Sequence, residues 1–228
     1  MRRAYFAVCV LLSIAACSGM SSAWDHIYDG SVLPNDPSLG SNVWLAAGDT
    51  SACSSDGSVL RILDRTDTYV SFRRSAAPAR SPLTVEARVR VVSGNNTLLY
   101  VGTPSYTPYL ELYADRVQIN FGSGRQQTYH SDLSVFHTIR LDMDAWSRSY
   151  VWLDDVLAAQ GTSTPGGNTF DLMFGAPFSG ASESYWDYVA YSAAFLPIPE
   201  PSSLLALAGG LAGIVGAGMW RRRRGAVS

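Results

Sequence analysis

The sequence predicts an all-β sandwich lying between two targeting ends. Three observations carry this. Leu83 to Val92 alternates strictly, with Val85, Ala87, Val89 and Val91 facing one way and Glu86, Arg88 and Arg90 the other, the period of a strand with one buried face. About ten short runs follow one another at roughly 8–15 residue spacing, divided by Gly, Pro, Asn and Asp turns. Between residues 24 and 196 no stretch keeps a helical apolar stripe for three turns. Two antiparallel sheets packed face to face satisfy that pattern.

The elements can be placed in order. Trp24, Ile27 and Tyr28 form an opening strand, and Val43-Trp44-Leu45 a short one, in a region otherwise broken by turns at Pro34–Pro37, Gly40–Asn42 and Ser51–Gly57. Val59–Leu63 and Tyr69–Phe72 are strands, followed by the long alternating run and a turn at Gly94-Asn95-Asn96. Thr97–Val101 is next, then a loop over 102–107. Tyr109–Tyr113 and Arg116–Phe121 make a hairpin across Ala114-Asp115, turning Leu110, Leu112, Val117, Ile119 and Phe121 inward. Gly122–Gln127 reads as a loop. Phe136–Met143 sets Ile139, Leu141 and Met143 inward and Thr138, Arg140 and Asp142 outward. Tyr150–Leu153, a turn at Asp154-Asp155, Val156–Ala158, Phe170–Phe174 and Tyr185–Tyr191 complete the chain of strands, with loops over 161–168 and 175–184.

The ends carry addresses. Arg2-Arg3, an apolar run from Ala4 to Ala16 and Ser21-Ser22-Ala23 read as a secretory signal peptide over residues 1–23. Ile14-Ala15-Ala16-Cys17 resembles a bacterial lipobox, which would instead make Cys17 a lipidated N-terminus. At the other end, Pro197-Ile198-Pro199-Glu200-Pro201 precedes an uncharged apolar segment at about 203–220 and then Arg221-Arg222-Arg223-Arg224. Such a segment is near the short limit for spanning a bilayer as a helix, and the arginines belong on its cytoplasmic side.

Pro199, Glu200, Pro201, the apolar helix and the terminal Arg cluster, in that order, resemble the PEP-CTERM sorting signals of Gram-negative bacteria. The resemblance covers residues 197–224. It implies that residues 197–228 are a sorting tail recognised by an exosortase, and that the chain is held in the inner membrane until processing. Delivery to the cell surface or an extracellular polymer layer follows. Pro199, Glu200, Pro201 and Arg221, Arg222, Arg223 and Arg224 are then features read by the enzyme.

That leaves residues 24–196 as one domain. It holds 11 arginines, no lysine and 18 acidic residues, a net charge of −7. This balance argues against nucleic acid and against docking on anionic lipid. Cys53 is its single cysteine, so no disulfide framework forms within it.

Within the domain, Phe136–Leu141, Tyr150–Asp155 and Tyr185–Tyr191, in this order, resemble the second half of concanavalin A-like, laminin-G-like jelly rolls. The resemblance spans about residues 57–192 and implies a jelly-roll-like β-sandwich. The family includes sugar binders, protein binders and glycoside hydrolases, and fold alone does not choose among them. Glycosidases of this class often carry two Glu and an Asp alternating on one strand. No strand here does so, and the domain has just Glu86, Glu111 and Glu183 as glutamates. Hydrolysis needs two carboxylates at a set separation, so the expectation is a protein that is not an enzyme.

For binding, Tyr109, Glu111 and Tyr113 share an outer face, and Tyr150 and Trp152 have the same parity on theirs. Joined in one platform, they would stack and hydrogen-bond sugar rings. Asp154, Asp155 and Asp187 at strand ends are the candidates for calcium, without a fixed-spacing loop. His26, His130 and His137 lack metal-ligand spacing, and no nucleophile elbow or phosphate loop is present. The expectation is therefore an exported protein with an adhesive or structural role, whose partner is a surface polysaccharide or a matrix protein. The alternative is a lectin-like carbohydrate-binding module.

Overall fold

The computed structural model describes residues 24–65, 69–78, 82–94, 97–102, 108–122, 126–144, 148–162, 169–178, 180–194 and 196. Residues 1–23, expected to be a signal peptide, and the expected sorting motif and apolar segment at 203–220 lie outside the described residues. Among the described residues no helix is long and apolar enough to cross a membrane.

The strands are β1 (His26–Tyr28), β2 (Leu45–Gly48), β3 (Cys53–Ser55), β4 (Leu60–Asp64), β5 (Val70–Pro78), β6 (Leu83–Gly94), β7 (Thr97–Gly102) and β8 (Tyr109–Tyr113). They continue as β9 (Arg116–Asn120), β10 (Gln126–His130), β11 (His137–Met143), β12 (Arg148–Leu153), β13 (Val156–Thr162), β14 (Thr169–Ala176) and β15 (Ser182–Ser192). Among the described residues they form two antiparallel sheets. Sheet I runs β13-β12-β11-β6-β15-β4-β3, with β1 also on β15, and sheet II runs β10-β9-β8-β7-β14-β5-β2. The architecture is the expected all-β sandwich of jelly-roll type.

The core lies between the sheets and is fed by the alternation. Leu83, Val85, Ala87, Val89 and Val91 of β6 face Leu99, Val101, Leu110, Leu112, Val117 and Ile119 of sheet II, all buried. Its centre is aromatic. Phe174 of β14 touches Trp186 of β15 at 4.9 Å, Trp44 edge-on at 5.0 Å, Phe72 of β5 at 5.6 Å and Tyr28 of β1 at 5.9 Å. Beside it, Gly175 has φ +128°, and a Cβ there would stand 2.7 Å from the Val70 carbonyl oxygen. Only glycine keeps β14 that close to β5.

Four expectations are corrected. Val43-Trp44 belongs to a loop, with the Trp44 amide donating to the Pro34 carbonyl at 2.8 Å, and the strand begins at Leu45. Cys53–Ser55 pairs with β4, although its composition reads as a turn. Gln126–His130 pairs with β9 over five residues without any apolar alternation to announce it. Arg140 and Asp142 do turn to the outer face of sheet I, yet both are buried, at 4% and 0% exposure. Arg140 Nε donates to Asp142 Oδ1 at 2.8 Å, and its guanidinium also donates to the Leu196 carbonyl. The Leu196 amide donates to Thr84 Oγ1 at 3.0 Å, so the segment after β15 is tied down over these side chains.

Glu86 stands beside Arg140 in the β6–β11 register. Burial pushes its carboxyl above the usual range, while the Tyr188 hydroxyl, donating at 2.7 Å, and the Arg140 charge pull the other way.

Three outcomes follow. Phe174→Ala removes the ring on which four others rest and is expected to cost about 3–5 kcal/mol, measured as a shift in urea midpoint. Val156→Ala, at a position 57% exposed, should stay within about 0.5 kcal/mol. The native Glu86 carboxyl is harder to ionise than the unfolded one, so stability is lost as pH rises through its native pKa. Glu86→Gln keeps an acceptor for Tyr188. It should raise the midpoint at pH 7, and the gap should close once the pH falls below the carboxylate range. A gap unchanged at low pH would remove burial of the charge as the cause.

Candidate functional site

The outer face of sheet II offers a patch built by β7, β8 and β9. Leu110 and Leu112 take the core side of β8, so Tyr109, Glu111 and Tyr113 point outward, each half-buried. The hairpin register puts Tyr109 opposite Asn120, Glu111 opposite Gln118 and Tyr113 opposite Arg116. On the other flank Tyr100 of β7 stands opposite Tyr109, and Leu98 opposite Glu111. Leu98 is buried although it faces away from the core. It floors the patch between the tyrosines.

Polar contacts hold the rings. Asn120 Nδ2 donates to the Tyr109 hydroxyl at 2.8 Å, and Asn120 Oδ1 accepts from the Gly122 amide at 2.8 Å. The Tyr113 hydroxyl lies 3.0 Å from Glu111 Oε2 and 3.0 Å from Gln118 Oε1. It has one proton, which goes to the charged acceptor, Glu111. The Gln118 amide, turned over, then donates to the same oxygen. Burial and the Glu111 carboxylate both hold the Tyr113 hydroxyl above its ordinary pKa, so it stays a donor. The Arg116 guanidinium stacks 3.9 Å from the Tyr113 ring centroid and pairs with Asp115 at 2.8 Å. The result is a row of aromatic rings edged by amides and by the Glu111 carboxylate, with the Arg116–Asp115 pair at its end. Such a surface can stack an apolar sugar face and bond its hydroxyls. Glu111 has no second carboxylate on β7, β8 or β9, and Asp115 stands in the turn between β8 and β9.

The single platform expected from parity does not exist. Tyr109, Glu111 and Tyr113 lie on sheet II, whereas Tyr150 and Trp152 lie on β12 of sheet I, on the opposite side of the sandwich. Trp152 sits beside Arg140 and Tyr150 beside Asp142. Residue parity tells in from out but not which sheet a strand joins. Tyr100, Gln118 and Asn120 were missed by sequence reasoning. The last two were findable, because the two-residue turn at Ala114-Asp115 dictates their opposition to Tyr109 and Glu111.

The aspartates are also dispersed. Asp154 and Asp155 form the β12–β13 turn with φ +47° and +64°, as a two-residue hairpin turn requires. Asp154 Oδ2 is 2.5 Å from His137 Nδ1, and its Oδ1 accepts from the Thr138 amide at 2.9 Å. Asp187 is held by Arg88 at 2.5 Å. Among the described residues no group of three or more His, Cys, Asp or Glu is placed to hold a metal ion. Burial, with Asp49 and Asp64 nearby, pushes the Cys53 thiol up to about 12, which makes it a poor nucleophile.

No family model matches this chain, and no curated protein matches it by sequence. Solved structures do. An endo-β-1,3-glucanase from Pyrococcus furiosus aligns with a TM-score of 0.56 at 11% identity, over 76% of this chain and 94% of that one. A β-1,3-1,4-glucanase (lichenase) from a mouse hindgut metagenome gives 0.55 at 13%, over 74% and 98%. The carbohydrate recognition domain of Emp46p gives 0.53 at 13%, over 75% and 100%. A sialidase also matches, with 72% of this chain covering only 18% of that one. At these identities the likeness speaks for the fold alone, and the fold is the concanavalin A-like jelly-roll sandwich.

Proposed function

We propose that this chain is an exported surface protein whose sandwich binds glycans without cleaving them, in an adhesive or structural role. The observation that carries the reading is the row of oriented tyrosines, Tyr100, Tyr109 and Tyr113, edged by Asn120, Gln118 and a lone Glu111. The structural neighbours include both glucanases and a carbohydrate recognition domain, which fits a sugar-facing sandwich. Glu111 is the sole carboxylate on β7, β8 and β9, and the nearby Asp115 in the turn is taken up by Arg116, which favours binding over hydrolysis. The two ends supply the address. The signal peptide exports the chain, the apolar segment holds it in the inner membrane, and Pro199-Glu200-Pro201 is where an exosortase would act.

The binding reading is tested on a glycan array with the full-length chain in detergent, followed by affinity electrophoresis on the best ligand. Saturable binding is expected, weakened about tenfold, or 1.4 kcal/mol, by Tyr109→Ala. Silence across the array with calcium and with chelator would defeat it. Release of reducing ends from a β-glucan, lost in Glu111→Gln, would overturn the non-enzymatic part.

Sorting is tested separately. Residues 197–228 fused to a neutral secreted reporter should be shortened and released from the inner membrane in a host with an exosortase. A reporter that stays uncut there would sink the sorting claim.

A further inference from the structure

The opposite face of the sandwich carries a different chemistry. In sheet I, β15 lies between β6 and β4, and the registers align Arg90, Tyr185 and Arg61 in one row across the three strands. The Arg90 guanidinium sits 4.2 Å from the Tyr185 ring centroid and 5.5 Å from that of Phe136. Arg61 approaches Tyr185 at 5.8 Å, and Arg88 approaches Phe136 at 5.2 Å. Arginines and rings thus alternate along a strip. Two of the arginines are neutralised. Glu183 takes Arg61 at 2.8 Å and also accepts from the Tyr185 hydroxyl at 2.8 Å, and Asp187 takes Arg88.

Arg90 has no direct partner among the described residues, although the Glu183 carboxylate is near enough to feel its charge. Among the described residues it makes no hydrogen bond or ion pair, and its Nε is buried without a partner. Nε is enclosed, but the residue as a whole is half-buried, so an oxygen pair from outside would meet the terminal guanidinium nitrogens that the two rings hold in place. Past Arg61 the strip opens into a cavity of about 400 Å³, whose polar lining is Arg61, Arg65, Ser51, Ser54 and one carboxylate, Asp49. Arg65 is exposed. Arg90 and Arg61 stand two inter-strand steps apart, about 10 Å, the scale of a disaccharide repeat. The rest of the domain is acidic, so this strip is a local exception and acts by contact rather than by long-range attraction.

We infer that this strip is a second binding site, for a repeating anionic glycan whose carboxylate or sulfate oxygens engage Arg90 and whose next charged group reaches Arg61 and Arg65 at the cavity. It stands independently of the tyrosine row on sheet II. Together the two faces would let one molecule bridge two polymers.

Affinity electrophoresis of the full-length chain in gels containing polygalacturonate, dextran sulfate, neutral dextran or poly-glutamate tests this. Retardation by polygalacturonate or by dextran sulfate is expected, which also tells carboxylate from sulfate recognition, with none by neutral dextran. Arg90→Gln should weaken retardation at least tenfold and Arg90→Lys by less, since lysine keeps the charge but loses the planar fork. Arg65→Gln, at an exposed position that does not threaten folding, should weaken it several-fold. Arg148→Gln removes the same charge at an exposed position elsewhere on sheet I and should leave retardation within twofold. The inference is overturned by equal retardation in neutral dextran, by equal retardation with poly-glutamate, or by an Arg65→Gln chain that matches Arg148→Gln.

Discussion

The packing of Phe174 against four aromatic partners is the contact on which the rest of the sandwich depends. It joins the middle of sheet II to the middle of sheet I through Trp186, and it draws in Tyr28 and Trp44 from the first part of the chain. Aromatic rings bury the most apolar area per side chain, and tilted and edge-on pairs add to that burial. With β14 fixed by Phe174, β5 and β7 are placed on either side of it. Because the strand period is two, fixing the inward residue fixes every outward one. The position of Tyr100 beside Tyr109 therefore depends indirectly on a ring on the other side of the backbone.

The two outer faces then diverge for local reasons. On sheet II the meander from β7 to β10 ends in a polar strand, and Tyr109 and Tyr113 remain half-buried with their hydroxyls tethered. On sheet I the outer face is mostly charged. Part of it is closed, where the segment ending at Leu196 lies over Arg140 and Thr84. Part of it is the strip in which Arg90 is held by rings without a direct ion pair. A buried charge pair such as Arg140–Asp142 contributes little net stability once desolvation is included. Its visible effect here is to hold down the segment that leads out of β15.

How much of this was legible depends on whether one face of a strand is buried. β6, β8, β9 and β11 could be read because Val, Leu and Ile alternate along them. β3 and β10 could not, since Cys53–Ser55 and Gln126–His130 owe their strand state to backbone bonds with β4 and β9 rather than to burial of their own side chains. The outward direction of Tyr109, Glu111 and Tyr113 was legible for the same reason as the core. So was the Asp154-Asp155 turn, because two residues between complementary strands leave few other conformations.

The sequence by itself determined the class of fold, the inward set of most strands, the acidic balance of the domain and the absence of an alternating carboxylate strand, because these depend on local period and composition. Only the tertiary structure decided which sheet each strand joins. It separated Tyr150 and Trp152 from Tyr109 and Tyr113, brought Tyr100, Gln118 and Asn120 to the latter, buried Arg140 and Asp142, and set Arg90 between Tyr185 and Phe136. Those outcomes rest on pairings between residues far apart in the chain, such as β6 with β15, and parity along one strand carries no information about its neighbour.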